Sequence, residues 1–140
     1  GKGMIDLSVA MELIEEGADL NTQGTLGGMS TLHHAVIQKN HEVIQQLFQK
    51  GVNGNIRDTI GNTPLHYAVI NNNSALVKQL LDKPEINIDI KGGASKSTPL
   101  EIARNSGYHD IVSLLQDHTN RTKRSTTHYR VNKKNSMIRK

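Results

Sequence analysis

Apolar residues recur along this chain in alternating blocks. Midway, Leu65, Ala68 and Val69 stand three and four positions apart, and Leu76, Val77, Leu80 and Leu81 follow as a second stripe. Both spacings place their residues on one face of an α-helix. Asn71, Asn72 and Asn73 separate the stripes and predict a break between two short helices.

The pair is not alone. "STLHHAV" from Ser30, "NTPLHYAV" from Asn62 and "KSTPLEIA" from Lys96 are variants of one phrase. They align Leu32, Leu65 and Leu100 at spacings of 33 and 35, with Ala35, Ala68 and Ala103 three residues on. Each phrase is followed by a second apolar block: "HEVIQQLF", "SALVKQLL" and "HDIVSLL". A period near 33 predicts stacked helix pairs, because a pair this short cannot bury its stripe alone. Between units, "GNIRDTIGN" supplies the Gly, Asn and Asp that tight turns use.

The recurring phrase also specifies a helix start. Thr63 suits the N-cap, where its hydroxyl accepts the N–H of His66, and Pro64 takes the first helical position. Thr98-Pro99-Leu100-Glu101 is a Thr-x-x-Glu capping box, and Ser30 with His33 is the same device without proline. Glu101 and the two histidines therefore share one structural slot. His33, His34 and His41 lack the spacing and the companion ligands of a metal site. The glycines of "GTLGGMS" read as a turn. The chain carries no G-x-S-x-G, P-loop, H-E-x-x-H or dinucleotide fingerprint. No catalytic residue, metal, cofactor or small-molecule substrate is expected.

These residues resemble the ankyrin repeat. "RDTIGNTPLHYAVINNNSALVKQLL" matches that family's pattern at Asp58, Gly61, Thr63, Pro64, Leu65, His66, Ala68, Leu80 and Leu81, and "GADLN" at 17–21 matches its ending. The resemblance covers roughly residues 1–118. It implies an all-α solenoid of helix-turn-helix units with short β-hairpin fingers, followed by a basic tail. The expected divisions are a partial repeat at 1–21, repeats at 22–54 and 55–87, a C-terminal capping repeat at 88–118 and a tail at 119–140. Residues 5–16 read as the second helix of a unit, either a half-repeat cap or the edge of a longer array; a longer array would give its apolar face a partner. The first full finger has Thr25 where Asp is usual, and the last has Lys96 where Gly is usual. Gln116 replaces an expected leucine, as suits a unit whose outer face meets water.

The resemblance implies a function as well: a non-catalytic adaptor that binds a partner protein in its concave groove. The residues left free for recognition are then Leu26, Met29, His34 and Ile37 in the first full unit, and Thr59, Ile60, Asn62, Tyr67, Ile70 and Asn71 in the next. Met29, Ile60 and Ile70 are the apolar anchors among them. The resemblance further implies that Asn21 and Asn55 could be hydroxylated by an asparaginyl hydroxylase; the alternative is that both simply bond the turn backbone. A docking or regulatory fragment of a larger enzyme or pathogen effector is the competing reading.

Composition narrows this picture. Hydrophobic residues make up 35% and aromatics 3%, which suits an elongated stack better than a core built on large rings. There is no cysteine, so no disulfide framework and no thiol chemistry. No apolar run approaches the roughly 20 residues of a membrane span. The net charge of +4 is uneven: residues 119–140 hold eight Lys or Arg and no acid. That tail, with Arg121, Lys123, Arg124, Arg130, Lys133 and Lys134, is expected to be disordered alone. It is the only route expected to nucleic acid or an anionic membrane. The chain is expected to be monomeric and intracellular, in cytoplasm or nucleus, or in the host cytosol for a pathogen effector.

Overall fold

The computed structural model describes residues 6–23 and 26–122. They form α1 (Leu7–Glu15), a 3-10 turn (Leu26–Gly28), α2 (Thr31–Ile37), α3 (His41–Gln49), α4 (Pro64–Ile70), α5 (Ser74–Leu81) and α6 (Pro99–Ser106). A last helix, α7, occupies 109–122. Within units α2 packs on α3 and α4 on α5; between units α1 packs on α2, α2 on α4, and α4 on α6. The architecture is the all-α repeat solenoid expected.

The helices α1 to α6 each begin where a side chain accepts from free N–H groups of the first turn. Ser30, Thr63 and Thr98 cap α2, α4 and α6 as capping boxes closed by His33, His66 and Glu101. Asn40 and Asn73 cap α3 and α5, and Asp6 caps α1. The asparagine run read as a break is therefore also a start signal. Between paired helices one residue turns left-handed: Lys39 at φ 61°, Asn72 at φ 52° and Gly107 at φ 75°. The reversal places the next N–H on a carbonyl back in the first helix, as in Asn73 N–H to Ala68 O at 2.9 Å.

The core is one continuous strip. Leu32, Ala35, Val36, Leu65, Ala68, Val69 and Ala103 come from the first helices, and Ile44, Leu47, Leu76, Val77, Leu80, Ile111 and Leu115 from the second. Alanine recurs in the first helices because neighbouring first helices pack on each other, and a small side chain permits close approach.

The fingers carry less strand than expected. Among the described residues a single antiparallel bridge, Gly92 to Ser97, stands for the hairpins. The finger 57–62 closes as a tight loop, with Asp58 N–H on Asn62 O at 2.9 Å. α7 runs to 122, past the boundary drawn at 118, so Arg121 lies exposed on a helix. Lys123, Arg124, Arg130, Lys133 and Lys134 lie outside the described residues.

Candidate recognition surface

The central finger is organised by one carboxylate. Asp58 Oδ1 accepts the N–H groups of Ile60 (3.1 Å) and Asn62 (2.9 Å), and Oδ2 accepts the Tyr67 hydroxyl. Burial, then the bond to Asp58, pushes the Tyr67 phenol up to about 12, so its proton stays on oxygen. The Tyr67 ring stands edge-on to His33, with centroids 5.7 Å apart. Side chain and backbone thus lock the loop, and Thr59 and Ile60 project from its tip into solvent.

Backbone bonds then join finger to finger. Thr59 N–H donates to Gly27 O and Gly93 N–H to Ile60 O, both at 2.9 Å. Gly92 lies so close that a Cβ there would stand 2.5 Å from Gly61 O. Arg57 reaches the next finger at Lys91 O (2.7 Å), and Gln23 reaches Arg57 O (2.5 Å).

The histidines belong to this framework. Nδ1 of His33 accepts the Ser30 backbone N–H at 3.1 Å, which leaves the ring proton on Nε2. Nε2 donates to Asn62 O, in the next finger, at 2.8 Å. His66 repeats both bonds, to Thr63 N–H (3.1 Å) and Ser97 O (3.0 Å). Burial is the main cause that lowers both imidazoles below their ordinary pKa, so they are neutral. Glu101 closes its box on Thr98 N–H at 2.9 Å but has no N–H to send onward. The link from histidine to the following unit is absent from the sequence reading, because its acceptor is a backbone carbonyl 29 or 31 residues away.

The residues expected to be free divide. Ile60 is 60% exposed and Ile70 43% exposed, and Thr59 and Asn71 are exposed beside them. Ile37 and Tyr67 are half-buried. Three expectations need correction. Asn62 is buried, because its N–H serves Asp58 and its carbonyl accepts from His33 and Asp58. His34 is buried too, whereas Tyr67 in the same slot of the next unit is half-buried. Burial lowers the pKa of His34. Met29 is half-buried rather than an exposed anchor. Leu26 opens the 3-10 turn.

Asn21 and Asn55 form a ladder. Each Oδ1 accepts a backbone N–H 32 residues on, that of Asn53 and of Asn87, at 2.8 Å. Asp19, Asn53 and Asn87 in turn accept the N–H two residues on. Among the described residues no group of three or more His, Asp or Glu is placed to hold a metal ion.

Comparison with known proteins agrees with this geometry. The family model for ankyrin repeats (three copies) matches residues 3–92 and 61–126. An ankyrin repeat protein of Fowlpox virus (strain NVSL) is 38% identical over 117 residues, covering 81% of this chain and 34% of that protein. Ankyrin repeat domain-containing protein 40 of Mus musculus is 32% identical over 59 residues, covering 42% of this chain and 16% of that protein. The chain thus spans about a third of the first relative's length and about a sixth of the second's. Ankyrin repeats generally mediate protein–protein interaction and are generally not enzymes.

Proposed function

Since this chain belongs to the ankyrin repeat family, we propose that it is a non-catalytic adaptor that recognises a partner protein through the finger tip and first helix of its central unit. One observation carries this reading. In that unit Ile60 and Ile70 are left in solvent, while Asp58, Asn62, His66 and Tyr67 are used internally. An apolar side chain on a loop held by the Asp58 carboxylate and by backbone hydrogen bonds is preorganised, so little entropy is lost on binding. Ile70 ends α4, about 10 Å along the axis from its start, so the two anchors suit an extended contact rather than a single pocket.

The test is affinity capture with mass spectrometry. The parent chain is compared with Ile60→Glu and Ile70→Glu, each checked for an unchanged melting temperature. The expected result is a partner retained by the parent and lost by both variants. An identical captured set from all three removes the reading. Asn62 is left intact in these variants, because changing it disturbs the finger itself. An intracellular location goes with this proposal, and a fluorescent fusion tests it.

A further inference from the structure

The turns after α1, α3 and α5 follow one plan. Asp19, Asn53 and Asn87 open them, and the side-chain oxygen of each accepts the N–H two residues on, at 2.9, 3.0 and 2.9 Å. The residue between differs: Leu20, Gly54 and Ile88. Gly54 is not kept for its backbone, since its φ is not left-handed. It is kept for space. A Cβ there would stand 2.7 Å from Ile86 Cδ1 and 2.9 Å from Phe48 Cε1. Core packing thus sets a glycine directly after an asparagine, and 53–54 is the one Asn-Gly pair in the sequence.

The local bonds leave the reacting groups available. Asn53 is exposed. Its Oδ1 accepts the Asn55 N–H, which draws electron density from the amide carbon. Among the described residues its Nδ2 donates to no acceptor, whereas Asn55 Nδ2 is tied to Glu85 O at 2.7 Å. The Gly54 N–H likewise meets no acceptor among them. Glycine has no side chain to screen that nitrogen. Asn21, Asn55 and Asn87 are followed instead by β-branched Thr22, Ile56 and Ile88, which crowd it.

We propose that Asn53 is a site of spontaneous deamidation, a slow one-way change that loosens the joint between 53–55 and 85–87. The Gly54 nitrogen gives its proton to hydroxide and attacks Asn53 Cγ. The N–Cγ bond forms, the Cγ–Nδ2 bond breaks, and the leaving nitrogen takes a proton from water to depart as ammonia. Water then opens the cyclic imide. Attack at Cγ gives aspartate; attack at the main-chain carbonyl gives isoaspartate, in which the chain reaches Gly54 through Cγ. Water is consumed, ammonia is released, and nothing is oxidised or reduced.

The two products differ in the fold. Aspartate fits the slot, because Asp19 already fills it in the first turn. Isoaspartate inserts a carbon into the main chain beside Gly54, where Ile86 and Phe48 leave no room. It also takes the accepting oxygen away from the Asn55 N–H. Asn55 holds the Asn87 N–H at 2.8 Å and Glu85 O at 2.7 Å, so those bonds weaken with it.

The test ages the full chain for weeks at mildly alkaline pH and body temperature, in water enriched in heavy oxygen, which labels the new carboxylate. Trypsin then releases 51–57, between Lys50 and Arg57. Fragmentation is expected to place the label at Asn53 ahead of Asn55 and Asn87. Part of the product is expected to accept a methyl group from S-adenosylmethionine through an isoaspartyl methyltransferase, used as the probe. Ion exchange separates the aged species. The isoaspartate form is expected to have a lower urea midpoint than the parent, and the aspartate form to match the Asn53→Asp variant at the parent's value. Asn53→Gln, whose longer side chain closes a ring more slowly, is expected to take up label at least about tenfold more slowly. No label at Asn53, equal labelling of the other asparagines, or an isoaspartate form as stable as the parent overturns the proposal. So does a rate in the folded chain more than about tenfold below that of the free 51–57 peptide, since the fold would then shield the site.

Discussion

Histidine and glutamate in the phrase's shared position differ by one bond. His33 and His66 close the cap with one nitrogen and hold the following finger with the other. Glu101 closes a cap only. Substituting His66→Glu is therefore expected to cost about 3 kcal/mol or more, because it buries a carboxylate against a carbonyl. Glu101→His is expected to leave the urea midpoint nearly unchanged, since the Glu101 side chain is in solvent. Comparable losses in both variants contradict this division of labour. The same residues set a pH dependence. Burial lowers the folded pKa of His33, His34 and His66, so the unfolded chain binds protons first as pH falls. Stability is expected to be full above about pH 6.5 and to decline below it toward the lowered folded values. Urea melts across that window check this, and His33→Gln with His66→Gln should flatten the decline. The capping role of these side chains was legible in sequence because it is local. Their second bond was not, because its partner is main chain in another unit.

The turns and fingers show how far local rules reach at the level of the element. Three helix pairs reverse through a left-handed residue, and the chain supplies Lys39, Asn72 and Gly107. Only glycine adopts that conformation without a Cβ clash. Lys39→Gly is expected to raise stability by about 1 kcal/mol, seen as a higher denaturation midpoint; a fall shows that Lys39 contributes contacts outweighing its strain. Gly92 poses the opposite case. Its φ is ordinary, but the neighbouring finger leaves no room for a Cβ. Gly92→Ala is expected to destabilise by about 1–3 kcal/mol and to disturb the Gly93–Ile60 bond first, which amide exchange at Gly93 reads. Helices and caps were readable from spacing. The fingers were expected as short β-hairpins; among the described residues they close as tight loops with a single bridge, and backbone bonds at Thr59 and Gly93 tie each finger to its neighbour.

For the whole molecule, position in the stack decides what a residue is worth. Leu13 and Leu47 occupy the same step of the repeat, one half exposed and the other buried. Leu47→Ala is expected to cost about 2–5 kcal/mol, whereas Leu13→Ala should shift the denaturation midpoint by only a small fraction of that. Equal losses imply that the α1 face is covered in solution, for instance by self-association.

Periodicity, capping residues and the recurring phrase were enough to establish an array of helix pairs, where the first helix of each full pair begins and which leucines and alanines form its core. These properties depend on neighbours within a few residues or on an exact repeat, so a one-dimensional reading captures them. Tertiary structure alone decided which of the remaining positions meet solvent. Asn62 and His34 were drawn inward by carbonyls and packing from other units, while Ile60, Ile70, Val9 and Leu13 stayed outside. The reason is physical: burial depends on which units lie on either side, and the period is the same whether or not a position has a neighbour.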